Sequence, residues 1–386
     1  FCPHLAHLTP LTERIPLAIP DLRGNESAYL ARCVQDNWVS SAGPFVTECE
    51  KQVAALAGRA HAVASVNGTT ALQLAMKAAG VRSGDHVVVP DWTFAATANA
   101  AHHAGAIPIL ADVTEESWSL DPSMLEAILR DPPGRIGAVV VVHALGHPAD
   151  VDPLVALCRT TGVPLIEDAA GAIGARYKGR PVGGLGDLAI FSFNGNKTIT
   201  AGGGGMVVTD DEGQAKRLRA ISAQARSGAE YRYDEIGFNY RMTNLNAAVL
   251  LAQIERLEEM VAAKRRIAAA YDAAFGTSAS FVPMPRAPWA DSGCWLYSVR
   301  VANEESAKSL VAHLGERDIE ARVFWRTLSD QAPYSDCPRK LTGVAAGLSG
   351  TVVSLPCSTH LTGEEQGRVI DAVLAWRMQT PRRTAR

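Results

Sequence analysis

The chain has 386 residues, 47% of them hydrophobic and 20% charged, with a formal net charge of −3. That balance gives no general attraction to nucleic acid or to an anionic membrane surface. No apolar run approaches the roughly 18 residues of a spanning helix, and the N-terminus lacks the basic segment and apolar core of a signal peptide.

The length admits two domains at about 150 residues each. Seven cysteines are scattered without a C-x-x-C pair. Reduced thiols in a cytoplasmic protein are the expectation. His102-His103 has no companion ligands nearby in sequence, so no metal site is expected. The tail Pro381–Arg386 is basic and is expected to fray.

Helical patterns cover Glu26 to Asn37 and Val46 to Ala57, separated by the loop Trp38 to Pro44. Alternation then begins. Apolar segments His61–Val66, Asp85–Val89, Ile107–Ala111, Ala138–Val142 and Val163–Asp168 read as strands. Helices read over Thr69–Ala79, Phe94–His103, Pro122–Leu129 and Val151–Thr161 lie between them. Two further strands, Leu188–Phe193 and Met206–Thr209, precede a helix over Glu212–Gln224. Strands alternating with helices imply crossover units and a mostly parallel sheet covered on both faces. A long helical stretch runs from Asn244 to Phe275. A smaller α+β pattern follows: strands Trp295–Val301, Glu320–Phe324 and Val352–Leu355, with helices Glu304–Leu314 and Thr362–Trp376. The expected architecture is α/β, a seven-stranded type of sheet sandwiched by helices, with residues 1–260 as the large domain and 261–386 as a small C-terminal α+β domain.

In such sheets ligands sit at the carboxyl ends of the strands. Asn67-Gly68-Thr69-Thr70 opens a helix there, where free N–H groups and the helix dipole favour an anion. Plain N-capping by Asn67 explains the same residues. Trp92-Thr93-Phe94 offers a ring to a flat ligand, with core packing as the alternative. His143 also lies at a strand end. Glu167-Asp168 ends another strand. Alternation turns the two carboxylates to opposite faces, so Asp168 faces the ligand side, with a helix cap as its alternative role, and Glu167 is structural. The segment Phe191-Ser-Phe-Asn-Gly-Asn-Lys197 carries one lysine on a turn between two buried strands, followed by Gly202 to Gly205. A lysine on a loop is commonly a solvated connector. Held there and desolvated, its pKa falls and its neutral amine can form a Schiff base. Lys197 is therefore read as the anchor of pyridoxal phosphate (PLP), with Asp168 holding the pyridine nitrogen protonated. Ser192 is a candidate donor to phosphate, and Asn239 and Arg241 are candidate anion ligands. No G-x-G-x-x-G follows a strand and no G-x-x-x-x-G-K-[ST] is present, so nucleotide-cofactor readings lose ground.

The order Asn-Gly-Thr-Thr-Ala-Leu, Val-Pro-Asp-Trp-Thr-Phe, Ile-Glu-Asp-Ala-Ala, Phe-Ser-Phe-Asn-Gly-Asn-Lys and Gly-Phe-Asn-Tyr-Arg-Met-Thr-Asn resembles the nucleotide-sugar aminotransferase family, the DegT/DnrJ/StrS group. The resemblance spans about Ile15 to Ala375. It implies a fold type I PLP enzyme, usually a homodimer with active sites at the subunit interface. Lys197 resembles the Schiff-base lysine, Asp168 the partner of the pyridine nitrogen, and Phe94 the stacking ring. Gly68, Thr69 and Ser192 match the phosphate cup, and the Thr70 hydroxyl is a further candidate donor there. Asn239 resembles the residue that reaches the phosphate from the neighbouring subunit. Three residues past the aspartate the family often carries His, Gln or Glu, whereas this chain has Gly171.

The resemblance implies transfer of an amino group from L-glutamate to a ketone on a nucleotide-linked sugar. The opening Ile15 to Glu26 and Trp38-Val-Ser-Ser-Ala-Gly resemble the subgroup making 4-amino-6-deoxy sugars for surface glycans, such as bacillosamine and legionaminic acid precursors. Trp38, Ser40, Trp325, Tyr334 and His360 are sugar-pocket candidates, with packing or surface roles as the alternative. Two rival readings stay open. One is a PLP-dependent sugar dehydratase, where some relatives replace the lysine by histidine. The other is a PLP-binding regulatory protein.

Overall fold

The computed structural model describes residues 14–227, 231–278 and 280–379. The tail 381–386 and Cys2 lie outside them.

The main sheet runs His61–Ser65, Gly205–Thr209, Leu188–Ser192, Leu165–Asp168, Ile136–Val142, His86–Pro90, Ile107–Ala111 and Arg339–Lys340, each strand bonded to the next. Gly205–Thr209 is antiparallel to both neighbours, and the remaining pairs are parallel. Seven of these strands match the sequence expectation. The eighth is two residues contributed from far along the chain, where Arg339 pairs with Leu110. Every residue of Ile136–Val142 is buried, as its run of valines requires.

A second, antiparallel sheet has the order Val282–Pro283, Tyr297–Arg300, Val352–Leu355, Arg322–Phe324. Leu310, Leu314, Val369 and Val373 from the helices Glu304–Gly315 and Gly363–Gln379 share its core. The chain near Ile15 is tied to this unit, since the Ile15 N–H donates to the Asp318 carbonyl at 2.8 Å.

The stretch expected as one helix over 244–275 is two: Asn244–Ile254 and Leu257–Phe275. The break is stabilised from outside, because Arg256 bonds Asp21 and Glu259 while Asn25 and Tyr29 donate to Glu255. The proposed boundary at 260/261 falls inside the second of these helices. Its Leu257, Met260 and Val261 pack with the large sheet, whereas Ile267, Tyr271 and Phe275 pack with the small one.

Glu167 takes the structural role its side of the strand implies. It is fully buried and accepts from the backbone N–H of Gly183, Leu185 and Gly186 at 2.9, 2.7 and 2.8 Å. His143 meets it at 3.1 Å. Because the Ala149 N–H donates to His143 Nδ1 at 3.1 Å, the proton of the neutral ring lies on Nε2, facing Glu167. Burial pushes the Glu167 carboxyl up, but the His143 contact and the Gly186 and Gly183 bonds outweigh it and hold the pKa below the usual range. Glu167→Ala strands the buried N–H groups of Gly183 and Leu185, the part-buried N–H of Gly186 and the His143 Nε2–H, at about 1–3 kcal/mol for each buried donor. We expect urea unfolding to show a loss of about 3 kcal/mol or more. A loss under ~1 kcal/mol would mean the Gly183–Gly186 turn finds other acceptors.

Candidate active site

A cleft of about 560 Å³ opens at the carboxyl ends of the parallel strands. That lies within the roughly 300–1,000 Å³ usual for small-molecule sites. It brings together Gly68, Thr69, Phe94, Asp168, Ser192, Lys197 and Trp325 of the sequence-expected residues.

At one end is the start of the helix Gly68–Ala78. Asn67 does cap it, accepting from the Thr70 N–H at 2.8 Å, so the plain capping reading of Asn67 is correct. The caps leave the N–H groups of Gly68 and Thr69 without helical partners. A Cβ on Gly68 would lie 2.8 Å from Ser192 Cβ, so only glycine lets the helix start meet that serine. Thr70 faces elsewhere. Its hydroxyl meets Ser65 at 2.7 Å and the Asn67 carbonyl at 2.9 Å, and it does not line the cleft.

At the other end Asp168 is 6% exposed. Thr97 donates to its Oδ2 at 2.9 Å and the Ala170 N–H to its Oδ1 at 3.2 Å. Burial pushes its pKa up, and these bonds with the nearby Lys197 charge only partly offset that. A cation arriving beside it would restore the ionised form.

Between the two ends stands Lys197, on a turn closed by its own N–H donating to the Asn194 carbonyl at 3.0 Å. Its amine makes no ion pair among the described residues. It lies 3.5 Å from the centroid of the Trp295 ring. Crowding by protein atoms lowers its pKa to about 8, with Asp168 pulling the other way. An amine reagent should therefore label Lys197 of the cofactor-free protein half-maximally near pH 8, because the neutral form is the nucleophile. A midpoint near the ordinary lysine value of about 10.4 would mean that water reaches the amine freely.

Phe94 and Trp92 separate. The Phe94 ring is 62% exposed and lies along the cleft. Trp92 is fully buried, donates to the Trp325 carbonyl at 3.1 Å and packs on Trp118. It belongs to the core.

The other candidates lie off this cleft in the single chain. Tyr334 is a core residue, 3% exposed, donating to Asn99 at 2.6 Å and stacked on His102. Trp38 and Ser40 are exposed on a loop held by buried Asn244, which donates to the Trp38 carbonyl at 2.9 Å. His360 and Arg241 do not line the cleft, and Asn239 is exposed on a loop pinned where the Val66 N–H donates to the Tyr240 carbonyl at 2.8 Å.

Thr97, Trp295, Arg322 and Phe324 line the cleft without having been singled out from sequence. Thr97 had a local signal, three residues after Phe94 on a helical face. Trp295 and Arg322 had none, since only tertiary folding carries them here.

The donor set fits one kind of group: an anionic phosphate at the helix start and Ser192, a lysine in the wall, a flat ring beside Phe94, and a buried carboxylate opposite. PLP has these features.

The profile of the DegT/DnrJ/EryC1/StrS aminotransferase family matches residues 20–374. The chain is 37% identical over 364 residues to GDP-perosamine synthase of Caulobacter vibrioides, covering 93% of this chain and 97% of that one. It is 38% identical over 371 residues to the putative pyridoxal phosphate-dependent aminotransferase EpsN of Bacillus subtilis, covering 94% and 95%. Its fold superposes on S. venezuelae DesV, solved in complex with ketimine intermediate, with a TM-score of 0.88 at 32% identity over 96% of this chain and 100% of that one. On these matches the chain belongs to the DegT/DnrJ/EryC1/StrS aminotransferase family and is a PLP-dependent sugar aminotransferase.

Proposed function

We propose that the protein moves an amino group from L-glutamate to the keto group of a nucleotide-linked 4-keto-6-deoxy sugar, for surface-glycan biosynthesis. The observation that carries this is the pairing of Lys197 and Asp168 across one cleft, the lysine lowered to about 8 and the carboxylate buried. The relatives named GDP-perosamine synthase, at 35–38% identity, support a nucleotide-linked sugar as acceptor.

PLP supplies an electron sink that stabilises a carbanion next to the transferred nitrogen. The chain's own residues do the rest. Lys197 Nζ would anchor the cofactor, and its free amine would take up and return a proton as general acid and base. Asp168 keeps a proton on the ring nitrogen. Thr97 fixes which carboxylate oxygen faces inward. The N–H groups of Gly68 and Thr69, with the Ser192 hydroxyl, hold the phosphate. Phe94 covers one ring face.

A homodimer is part of this proposal. Val34, Ile236 and Trp38 are large apolar side chains left 64%, 89% and 46% exposed. Asn239 is exposed nearby in sequence to Ile236, where it would serve a neighbouring copy's phosphate. A monomer by sedimentation would remove that part.

The test is an absorbance titration. The visible band of lysine-linked PLP should disappear on adding L-glutamate, with release of 2-oxoglutarate, and return on adding the keto sugar. A band that glutamate leaves untouched would overturn the donor. A band lost to glutamate but never restored by any nucleotide-linked keto sugar would overturn the acceptor.

A further inference from the structure

Trp295 lies in a bend two residues before the small-sheet strand Tyr297–Arg300, and its indole forms part of the cleft wall beside Lys197. It is 7% exposed. Its ring centroid is 3.5 Å from Lys197 Nζ. Its Nε1–H donates to the Asn196 carbonyl at 2.7 Å, the residue just before that lysine. Its own carbonyl accepts from buried Lys264 at 2.9 Å, which fixes the backbone from behind. Trp295 is thus held through its backbone on one side and its indole N–H on the other, and the indole touches the lysine turn at two points.

Gly171 explains how the ring fits. A Cβ at this position would stand 2.6 Å from Trp295 Cε3. The backbone there has no positive φ, so an alanine meets no conformational objection. Space alone demands glycine. The side chain that the family often carries here is absent, and the indole occupies its volume.

We propose that Trp295 is a positioning residue for Lys197 and that Gly171 is the vacancy that admits it: the indole face seats the amine while the indole N–H clamps the turn that carries it. This rests on Lys197 being the cofactor anchor. A cation on an indole face is held by the ring quadrupole, and more strongly when water is excluded. A clamped turn also spares the entropy of ordering the lysine each time the amine is released and recaptured.

Four variants test it: Trp295→Ala, Trp295→Phe, Gly171→Ala, and Gly171→Ala with Trp295→Ala. Apo protein is mixed with PLP. The rate at which the visible band forms is followed, and the site is located by borohydride trapping and peptide mapping. Wild type trapped at Lys197 establishes the anchor independently of the variants, and trapping elsewhere would sink that reading rather than this one. Trp295→Ala should slow band formation on the order of tenfold, the scale of re-ordering a lysine side chain and turn that the indole no longer holds. Trp295→Phe keeps a ring face but loses the N–H, and should fall between wild type and Trp295→Ala. Gly171→Ala should slow it similarly by displacing the ring, and the double variant should be no slower than Trp295→Ala alone. Thermal melting confirms that each variant is folded. Wild-type rates in Trp295→Ala, or losses from Gly171→Ala and Trp295→Ala that multiply in the double variant, would overturn the proposal.

Discussion

Lys197→Ala is expected to abolish the visible band of bound PLP and to lower amino transfer by at least ~10⁴-fold, the upper range for one positioned acid–base group. The effect is large because one atom, Nζ, serves as both covalent anchor and proton carrier. The fold should survive. The side chain makes no ion pair among the described residues, and its amine rests only on the Trp295 ring. Its removal therefore strands no hydrogen-bond partner, and Asp168, which loses a nearby charge, keeps its bonds from Thr97 and Ala170. Single-turnover measurement with glutamate, beside a melting curve, checks both halves. Transfer within tenfold of wild type would end the assignment.

Asp168→Asn is expected to keep the band and still cost on the order of 10²–10³-fold in turnover, the scale of removing one preorganised electrostatic group. Asparagine can accept from the Ala170 N–H through its one oxygen and donate its amide N–H to the Thr97 hydroxyl, but it carries no charge to hold a proton on the ring nitrogen. A second readout follows from the sign of the coupling. The Asp168 charge raises the Lys197 pKa against burial. Without it, the labelling midpoint of cofactor-free Lys197 should fall below about 8. Near-normal turnover in the variant would refute the role of Asp168, and a midpoint that rises would refute the coupling.

The parts of the site that sequence made legible share one property: each is set by a few adjacent residues. The Asn67–Gly68 helix start, the opposite facing of Glu167 and Asp168 and the Lys197 turn all follow from local backbone rules, namely capping, strand alternation and the chemistry of a short polar turn between apolar strands. The sugar-pocket candidates had no such rule behind them. Trp325 lines the cleft, while Tyr334 is held in the core by Asn99 and His102. Both are aromatic residues in a loop-rich stretch, and nothing local distinguishes them.

By itself, then, the sequence determined the alternation of strands and helices, the end of the sheet at which the cleft opens, and the lysine and aspartate that line it. Periodicity and chain direction fix the first two, and the lysine and aspartate are picked out by their place on a turn and at a strand end together with the family resemblance. Only the tertiary structure decided that Thr97 orients Asp168, that the helical stretch breaks at Glu255–Arg256, and that Trp295 fills the space left by Gly171. Each of these depends on atoms tens to hundreds of residues apart in the chain, brought to within a few ångströms by burial of the two cores. Close packing, not local propensity, selects among such contacts.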